Sequence, residues 1–157
     1  MRGRSLSHRC RNSDAFTLIE MMMVAVIVGI LAALAIPNLT RAREKAMVAR
    51  AIGDIDALQQ DITEYSLDNR TLPASLADIG RADLLDPWGR PYVYLPITGQ
   101  GKGGFRKDRF LVPLNTDYDL YSVGADGATS APITASVSRD DIIRANDGGF
   151  IGLASDF

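Results

Sequence analysis

The chain is poor in the residues that carry most catalytic and redox chemistry. Among its 157 residues there is one histidine, His8, and one cysteine, Cys10. A single cysteine forms no disulfide within one chain, and a zinc site needs several His or Cys ligands at regular spacing. Residues 16–157 therefore hold no Ser-His-Asp or Cys-His arrangement and no zinc ligand set. We expect a protein that is not an enzyme.

Acidic residues outnumber basic residues outside the N-terminus. Residues 1–15 hold four arginines against one aspartate, a net charge of +3, so the overall charge of −2 leaves −5 on the remainder. An acidic remainder without a basic patch among aromatics does not favour nucleic acid as a partner. The length and the 46% hydrophobic composition fit one small folded domain with an additional N-terminal segment.

One long hydrophobic run stands out, FTLIEMMMVAVIVGILAALAI at residues 16–36. As a helix it rises about 31 Å, at about 1.5 Å per residue, which is close to the thickness of membrane hydrocarbon. The run holds one charged residue, Glu20. Because an unpaired carboxylate in hydrocarbon costs several kcal/mol, we expect Glu20 to meet an opposite charge, best supplied by a second copy of the chain.

Three interpretations of this run stay open on the residues alone. It fits a plain single-span anchor. It also fits a secretory signal peptide, with Ala-Leu-Ala at residues 33–35 as the cleavage site that releases a soluble binding domain from Ile36 onward. The third interpretation is an assembly device built around Glu20. Basic residues are in excess on both sides of the run, so the positive-inside rule gives no orientation.

The sequence AFTLIE at residues 15–20 resembles the processing motif of prepilins, in which glycine usually precedes the phenylalanine. The basic leader, the apolar run and the Ile-Pro-Asn at residues 36–38 extend the resemblance. It implies that a prepilin peptidase cuts between Ala15 and Phe16 and that the new Phe16 amine is N-methylated. It also implies that Glu20 pairs with the amine of a neighbouring subunit. Alanine before the cut is small enough for processing, at a slower expected rate.

Apolar residues continue at spacings of three and four beyond Pro37, as far as Tyr65. This pattern predicts one long helix over residues 16–68, loosened near Pro37, whose second half lays an apolar stripe on a domain. The remaining patterns predict a short helix at residues 75–79, strands at 92–95, 110–114 and 118–123, and a loop at 129–138. Residues 140–157 show only weak periodicity.

Two distal segments, DPWGRPYVYL at residues 86–95 and DYDLYSVGADG at residues 117–127, resemble the major (G-type) pseudopilin of type II secretion systems. The resemblance implies an α+β, pilin-like fold, in which a long N-terminal helix packs on a small antiparallel β-sheet with a C-terminal loop region. It implies a cleavable leader (1–15), a transmembrane assembly helix (16–36) and a periplasmic globular domain (37–157). The chain departs from the family pattern after Gly127.

The function that this resemblance implies is that of a structural subunit of a type II secretion pseudopilus, which supports protein export across the outer membrane. The subunit would be anchored in the inner membrane. Its partners would be further copies in a homopolymer, minor pseudopilins, the inner-membrane assembly platform and the prepilin peptidase. A type IV pilus pilin is the alternative. It is less favoured because such pilins often staple a C-terminal loop with two cysteines, and residues 16–157 contain none.

The resemblance also implies a Ca²⁺ site in the loop after GADG. By the motif, Asp126 supplies a carboxylate and Val123 a main-chain carbonyl, and the second carboxylate comes from Asp140 or Asp141. Calcium takes about six to eight oxygen ligands, which loops provide readily. The alternative is that Asp126 only begins a turn and that Asp140 caps a helix.

Overall fold

The structure is a computed structural model that describes residues 16–97 and 104–157. These residues form one long helix, α1 (Leu18–Asn69), and four strands, β1 (Val93–Pro96), β2 (Tyr118–Ser122), β3 (Ile142–Ala145) and β4 (Phe150–Leu153). Short 3₁₀ turns lie at Leu76–Ile79, Ser136–Ser138, Asn146–Gly148 and Ala154–Asp156. The predicted α+β, pilin-like fold is confirmed.

The chain divides into two compact units, Met1–Arg41 and Ala42–Phe157, and α1 contributes residues to both. The predicted boundary after residue 36 therefore lies five residues before the division between the units. The predicted leader, residues 1–15, lies outside the described residues. The roles assigned to the three predicted segments stay predictions.

Helix α1 continues through Pro37 without interruption. The sequence predicts a loosened helix at this position. Proline has no N–H, so the helix lacks one main-chain donor at this position. Two side chains bond to carbonyl oxygens close by. Asn38 Nδ2 donates to the Leu34 carbonyl at 3.1 Å, and Thr40 Oγ1 donates to the Ile36 carbonyl at 3.1 Å.

The second half of α1 buries one face against the sheet, as predicted. Its buried residues recur at spacings of three and four: Ala51, Ile55, Leu58 and Ile62. They share one core cluster with residues from the sheet and the segment before it, namely Tyr92, Tyr118, Leu120 and Ile142. Burying a large aliphatic side chain contributes about 1.5–3 kcal/mol, so this stripe is a main source of stability for the unit Ala42–Phe157.

The four strands form one antiparallel sheet in the order β1-β2-β3-β4. Its face opposite α1 carries a second buried cluster: Leu114, Tyr121, Ile133, Ile143, Ala145 and Ala154. Leu114 and Ile133 come from the segments that flank β2, so loops cover this face. All five residues of β2 are buried, because the strand lies between a helix on one face and loops on the other.

The strand predicted at residues 110–114 is wrong. These residues form bends, and Phe110 is 91% exposed, whereas Leu114 at the end of the segment is buried. Strands β3 and β4 were not predicted, because Arg144 interrupts the apolar pattern of β3 and Gly152 lies within β4. The helix predicted at residues 75–79 is a single 3₁₀ turn. It is capped by Asp78, whose carboxylate accepts from the Ala74 and Ser75 N–H groups at 2.9 and 3.0 Å.

We predict that Ile142→Ala lowers the free energy of unfolding by about 3 kcal/mol, because it leaves a cavity between the sheet and α1. Ile142 is 0% exposed. The control is Leu67→Ala on α1, because the Leu67 side chain is 75% exposed; for this variant we expect a change below about 0.5 kcal/mol. Denaturant unfolding of the purified protein measures both. Equal losses for the two variants would contradict the assigned core.

Candidate assembly segment and candidate metal site

The first candidate site is the assembly segment, defined as residues 16–36 at the N-terminal end of α1. Every side chain from residue 16 to residue 41 is exposed. The helix is long and apolar enough to cross a membrane, by length and composition. An exposed apolar surface of this extent is unfavourable in water, so it requires lipid or protein around it.

Glu20 lies in the first turn of α1, where its carboxylate caps the helix. Oε2 accepts hydrogen bonds from the Thr17 N–H and the Thr17 hydroxyl, both at 2.8 Å. The Thr17 hydroxyl oxygen in turn accepts from the Glu20 N–H at 3.3 Å. This reciprocal pattern is a capping box, which satisfies free N–H groups at a helix start. Its donors are neutral, and no ion pair joins Glu20 to another described residue.

The predicted cleavage point adjoins the start of the described chain. Phe16 is its first residue and is 77% exposed. Ala15 lies outside the described residues, so the cut between Ala15 and Phe16 stays a prediction, as does N-methylation of Phe16. Phe16 lies two positions before the start of α1 at Leu18 and four positions before Glu20, so an amine at Phe16 would lie near the helix cap.

The second candidate site is the loop that follows β2, where the structure brings Asp126 and Asp140 together. The Asp126 N–H donates to Asp140 Oδ2 at 2.9 Å, and Asp126 Oδ1 accepts from the Ala128 N–H at 2.7 Å. Gly124 packs against the same residue, since a Cβ on it would lie 2.3 Å from the Asp140 carbonyl oxygen. Asp140 precedes β3 and binds the loop after β2; it does not cap a helix.

Arg90 closes this loop from the side of β1. Its Nη1 donates to the Gly124 carbonyl at 2.5 Å, and Nη1 and Nη2 lie 3.4 and 3.3 Å from the Ala125 carbonyl oxygen. Carbonyl oxygens are the ligands that a loop offers to calcium. Here the two carbonyls that follow Val123 are already directed at a cation from the protein itself.

Asp141, the other predicted second carboxylate, lies in a different environment from Asp126. It is fully buried, pairs with the Arg106 guanidinium and accepts a hydrogen bond from the Thr129 hydroxyl at 2.7 Å. Burial raises the pKa of Asp141, and the hydrogen bonds from Thr129 and Arg106 oppose that rise. Of the two predicted alternatives, Asp140 is therefore the one that contacts Asp126.

The donors around this loop do not fit a calcium ion as they stand. Within residues 16–97 and 104–157, no three or more His, Cys, Asp or Glu side chains are grouped to hold a metal ion. Arg90 donates hydrogen bonds to two of the loop carbonyls, and Arg106 forms an ion pair with Asp141. A second cation beside either guanidinium would be repelled. Calcium binding through Val123 and Asp126 stays a prediction that this donor set does not favour.

Sequence reasoning missed the polar network that underlies the loop. Asn115 Nδ2 donates to Asp119 Oδ1 at 2.9 Å, and the Arg106 N–H donates to Asp119 Oδ2 at 2.6 Å. Asp117 pairs with Arg144 at 2.7 Å. A signal existed, since Asp119 lies within the strand predicted at residues 118–123, and an acidic residue needs a hydrogen-bonding partner if its strand is buried. The identity of that partner depends on contacts distant in sequence.

Two features define the class of pilin-like subunits. One is a capped, exposed, apolar helix end, and the other is a helix that packs on a small antiparallel sheet. The prokaryotic N-terminal methylation motif matches residues 10–36. The type II secretion system core protein G of Pseudomonas aeruginosa is 35% identical over 138 positions, which cover 74% of this chain and 87% of that protein. The core protein G of Aeromonas hydrophila is 36% identical, over 74% of this chain and 86% of that protein. That of Escherichia coli is 35% identical, over 71% of this chain and 81% of that protein.

The chain belongs to the type II secretion system core protein G family. Its N-terminal processing motif agrees with this assignment, because the matched residues include AFTLIE. The predicted family and the predicted function, a structural subunit of the type II secretion pseudopilus, are confirmed. The relatives and the single long apolar helix agree with anchoring in a membrane.

We predict that Gly124→Ala destabilises the protein by about 2 kcal/mol or more, because Gly124 has φ +67° and a Cβ would overlap Asp140. The matched control is Gly53→Ala in α1, where a Cβ meets no atom within 4 Å. There we expect a gain of about 0.5–1 kcal/mol from helix propensity. Thermal unfolding compares the two variants, and a Gly124→Ala protein as stable as the wild type would refute the tight packing of this loop.

Proposed function

We propose that the chain is cut before Phe16 and polymerises through the assembly segment into the pseudopilus. In this proposal the new Phe16 amine of one copy pairs with the Glu20 carboxylate of its neighbour. The single observation that carries the proposal is the position of Glu20. It is a carboxylate in the first turn of an exposed, membrane-length apolar helix, with neutral hydrogen-bond donors from its own chain and no described cationic partner.

The charge balance explains why assembly would be favoured over a lone anchor. A carboxylate and an ammonium group each carry a large desolvation cost in hydrocarbon. A staggered neighbour supplies the opposite charge to both at once, and it does so only when the helices are in register. Such a contact joins one site on a copy to a different site on the next copy, so it repeats head to tail and generates a helical filament when the rotation between copies does not close into a ring.

The wider roles follow from the same proposal. The assembly segment would span the inner membrane once, with the unit Ala42–Phe157 on the periplasmic side. Minor pseudopilins, the inner-membrane assembly platform and the prepilin peptidase would be its partners, and the chain would act structurally and catalyse no reaction. A type IV pilus subunit is the less favoured alternative, because the relatives are named as type II secretion proteins.

We predict that N-terminal sequencing of the protein from membranes yields methylated Phe16 as the first residue. Ala15→Gly should raise the rate of processing, since it restores the glycine usual in the motif. Pulse-labelling followed by electrophoresis measures that rate. An N-terminus at Ile36 would instead indicate a secreted soluble domain, and an intact Met1 in the presence of active peptidase would indicate a plain anchor.

We predict that Glu20→Ala leaves the protein cleaved and inserted in the membrane but lowers the yield of sheared filaments by at least about tenfold, on the scale of an uncompensated buried charge. Glu64→Ala is the control, because Glu64 lies exposed on the same helix outside the apolar run. Membrane fractionation and filament shearing are measured together. A normal filament yield from Glu20→Ala would refute the pairing.

A further inference from the structure

We propose that the Arg106 guanidinium is a built-in cation that closes the segment after β2 onto the sheet, in the structural role that the family resemblance assigns to Ca²⁺. The proposal concerns the unit Ala42–Phe157 alone. It stands whether or not the N-terminus is processed as proposed above.

The side chain of Arg106 joins three separate parts of the chain. It is 2% exposed, and its guanidinium carbon lies 4.2 Å from the centre of the Tyr121 ring in β2. Nη1 donates to the Thr129 hydroxyl and to the Ser130 carbonyl, each at 2.6 Å, and Nη2 donates to Asp141 Oδ2 just before β3. One charged group thus connects the loop after β2 to both central strands.

The atoms that accept hydrogen bonds from this guanidinium are oxygens of the types that coordinate hard cations. They are a hydroxyl, a main-chain carbonyl and a carboxylate oxygen, which are typical ligand types for calcium. Here they converge on a planar group with five N–H donors, which suits oxygens spread over several segments. The positive charge is supplied covalently, so closing the loop needs no ion from solution.

The main chain of Arg106 is held as firmly as its side chain. Its N–H donates to the buried Asp119 carboxylate at 2.6 Å, and its carbonyl accepts from the Leu114 N–H at 2.8 Å. The next residue, Lys107, exchanges main-chain hydrogen bonds of 3.0 Å with Ala131 and Ile133. The guanidinium therefore projects from a fixed backbone, as a structural cation requires.

Two buried atoms of the pair have no hydrogen-bond partner among the described residues, Arg106 Nε and Asp141 Oδ1. One is a donor and the other is an acceptor, and they belong to opposite charges of the same ion pair. A metal ion at this point would serve only Oδ1 and would stand beside the guanidinium, with repulsion between two cations.

The test measures thermal unfolding of the full chain in detergent, with saturating calcium and with EDTA. We expect the wild-type melting temperature to agree within about 2 °C in the two conditions, because a stabilising ligand would raise it by mass action. A calcium-dependent rise above about 2 °C would overturn the proposal. This measurement does not depend on whether any variant folds.

A single and a double variant then test the ion pair between Arg106 and Asp141. Arg106→Met should lower the melting temperature by about 10 °C or more, since it leaves the Asp141 carboxylate buried without its partner. Arg109→Met, three residues away and exposed, is the control and should change it by less than about 2 °C. Adding Asp141→Asn to Arg106→Met should recover part of the loss, because the orphaned charge is removed. A double variant no more stable than Arg106→Met would overturn the proposal.

Discussion

Burial of β2 on both faces is the constraint on which the rest of the globular unit depends. All five of its residues are buried, and the polar side chains of Asp119 and Ser122 have hydrogen-bonding partners outside the strand. Asp119 accepts from the Arg106 N–H and from Asn115, and the Ser122 hydroxyl donates to Asp86 at 2.5 Å. A buried polar group without a partner costs about 1–3 kcal/mol. Residues in the surrounding loops therefore supply the hydrogen-bond partners of the polar side chains in this strand.

Two buried arginines pack on the tyrosine rings of β2 from opposite faces of the sheet. Arg144 lies over the Tyr118 ring at 4.0 Å, and it bonds Asp117 through both terminal nitrogens and Gln59 of α1 through Nε. Arg106 lies over Tyr121 and bonds the loop after β2. Because Tyr118 and Tyr121 point to different faces, one arginine connects the sheet to the helix and the other connects it to the loops.

The sequence predicts the elements whose signal is local and long. The 3.6-residue pattern beyond Pro37 predicts α1 and its buried stripe, and the β-prone residues 118–123 predict β2. Strands β3 and β4 escape prediction because an arginine within β3 is typical of a surface and because glycine, at residue 152 of β4, disfavours a strand. The roles of Arg106 and Arg144 also escape, since an arginine gains a buried function only from carboxylates that lie far away in sequence. The family resemblance combines Asp126 with Asp140 or Asp141, and the structure shows a contact of Asp126 with Asp140. The resemblance does not reveal that Arg90 and Arg106 already bond the surrounding oxygens.

A buried charge needs an opposite charge, and in this chain the two compact units differ in where that opposite charge is found. In the unit Ala42–Phe157, the buried charges of Asp141 and Arg144 find their partners within the chain, so the pairing stabilises a single folded copy. In the assembly segment, the cap at Thr17 satisfies hydrogen bonds of Glu20 but supplies no positive charge. An uncompensated charge at membrane depth is a driving force for association, since the bilayer offers nothing comparable to a second copy. In the proposed assembly, a carboxylate that would be a defect in an isolated helix would become a selective contact for the filament, and the spacing of Phe16 and Glu20 would set the register of that contact.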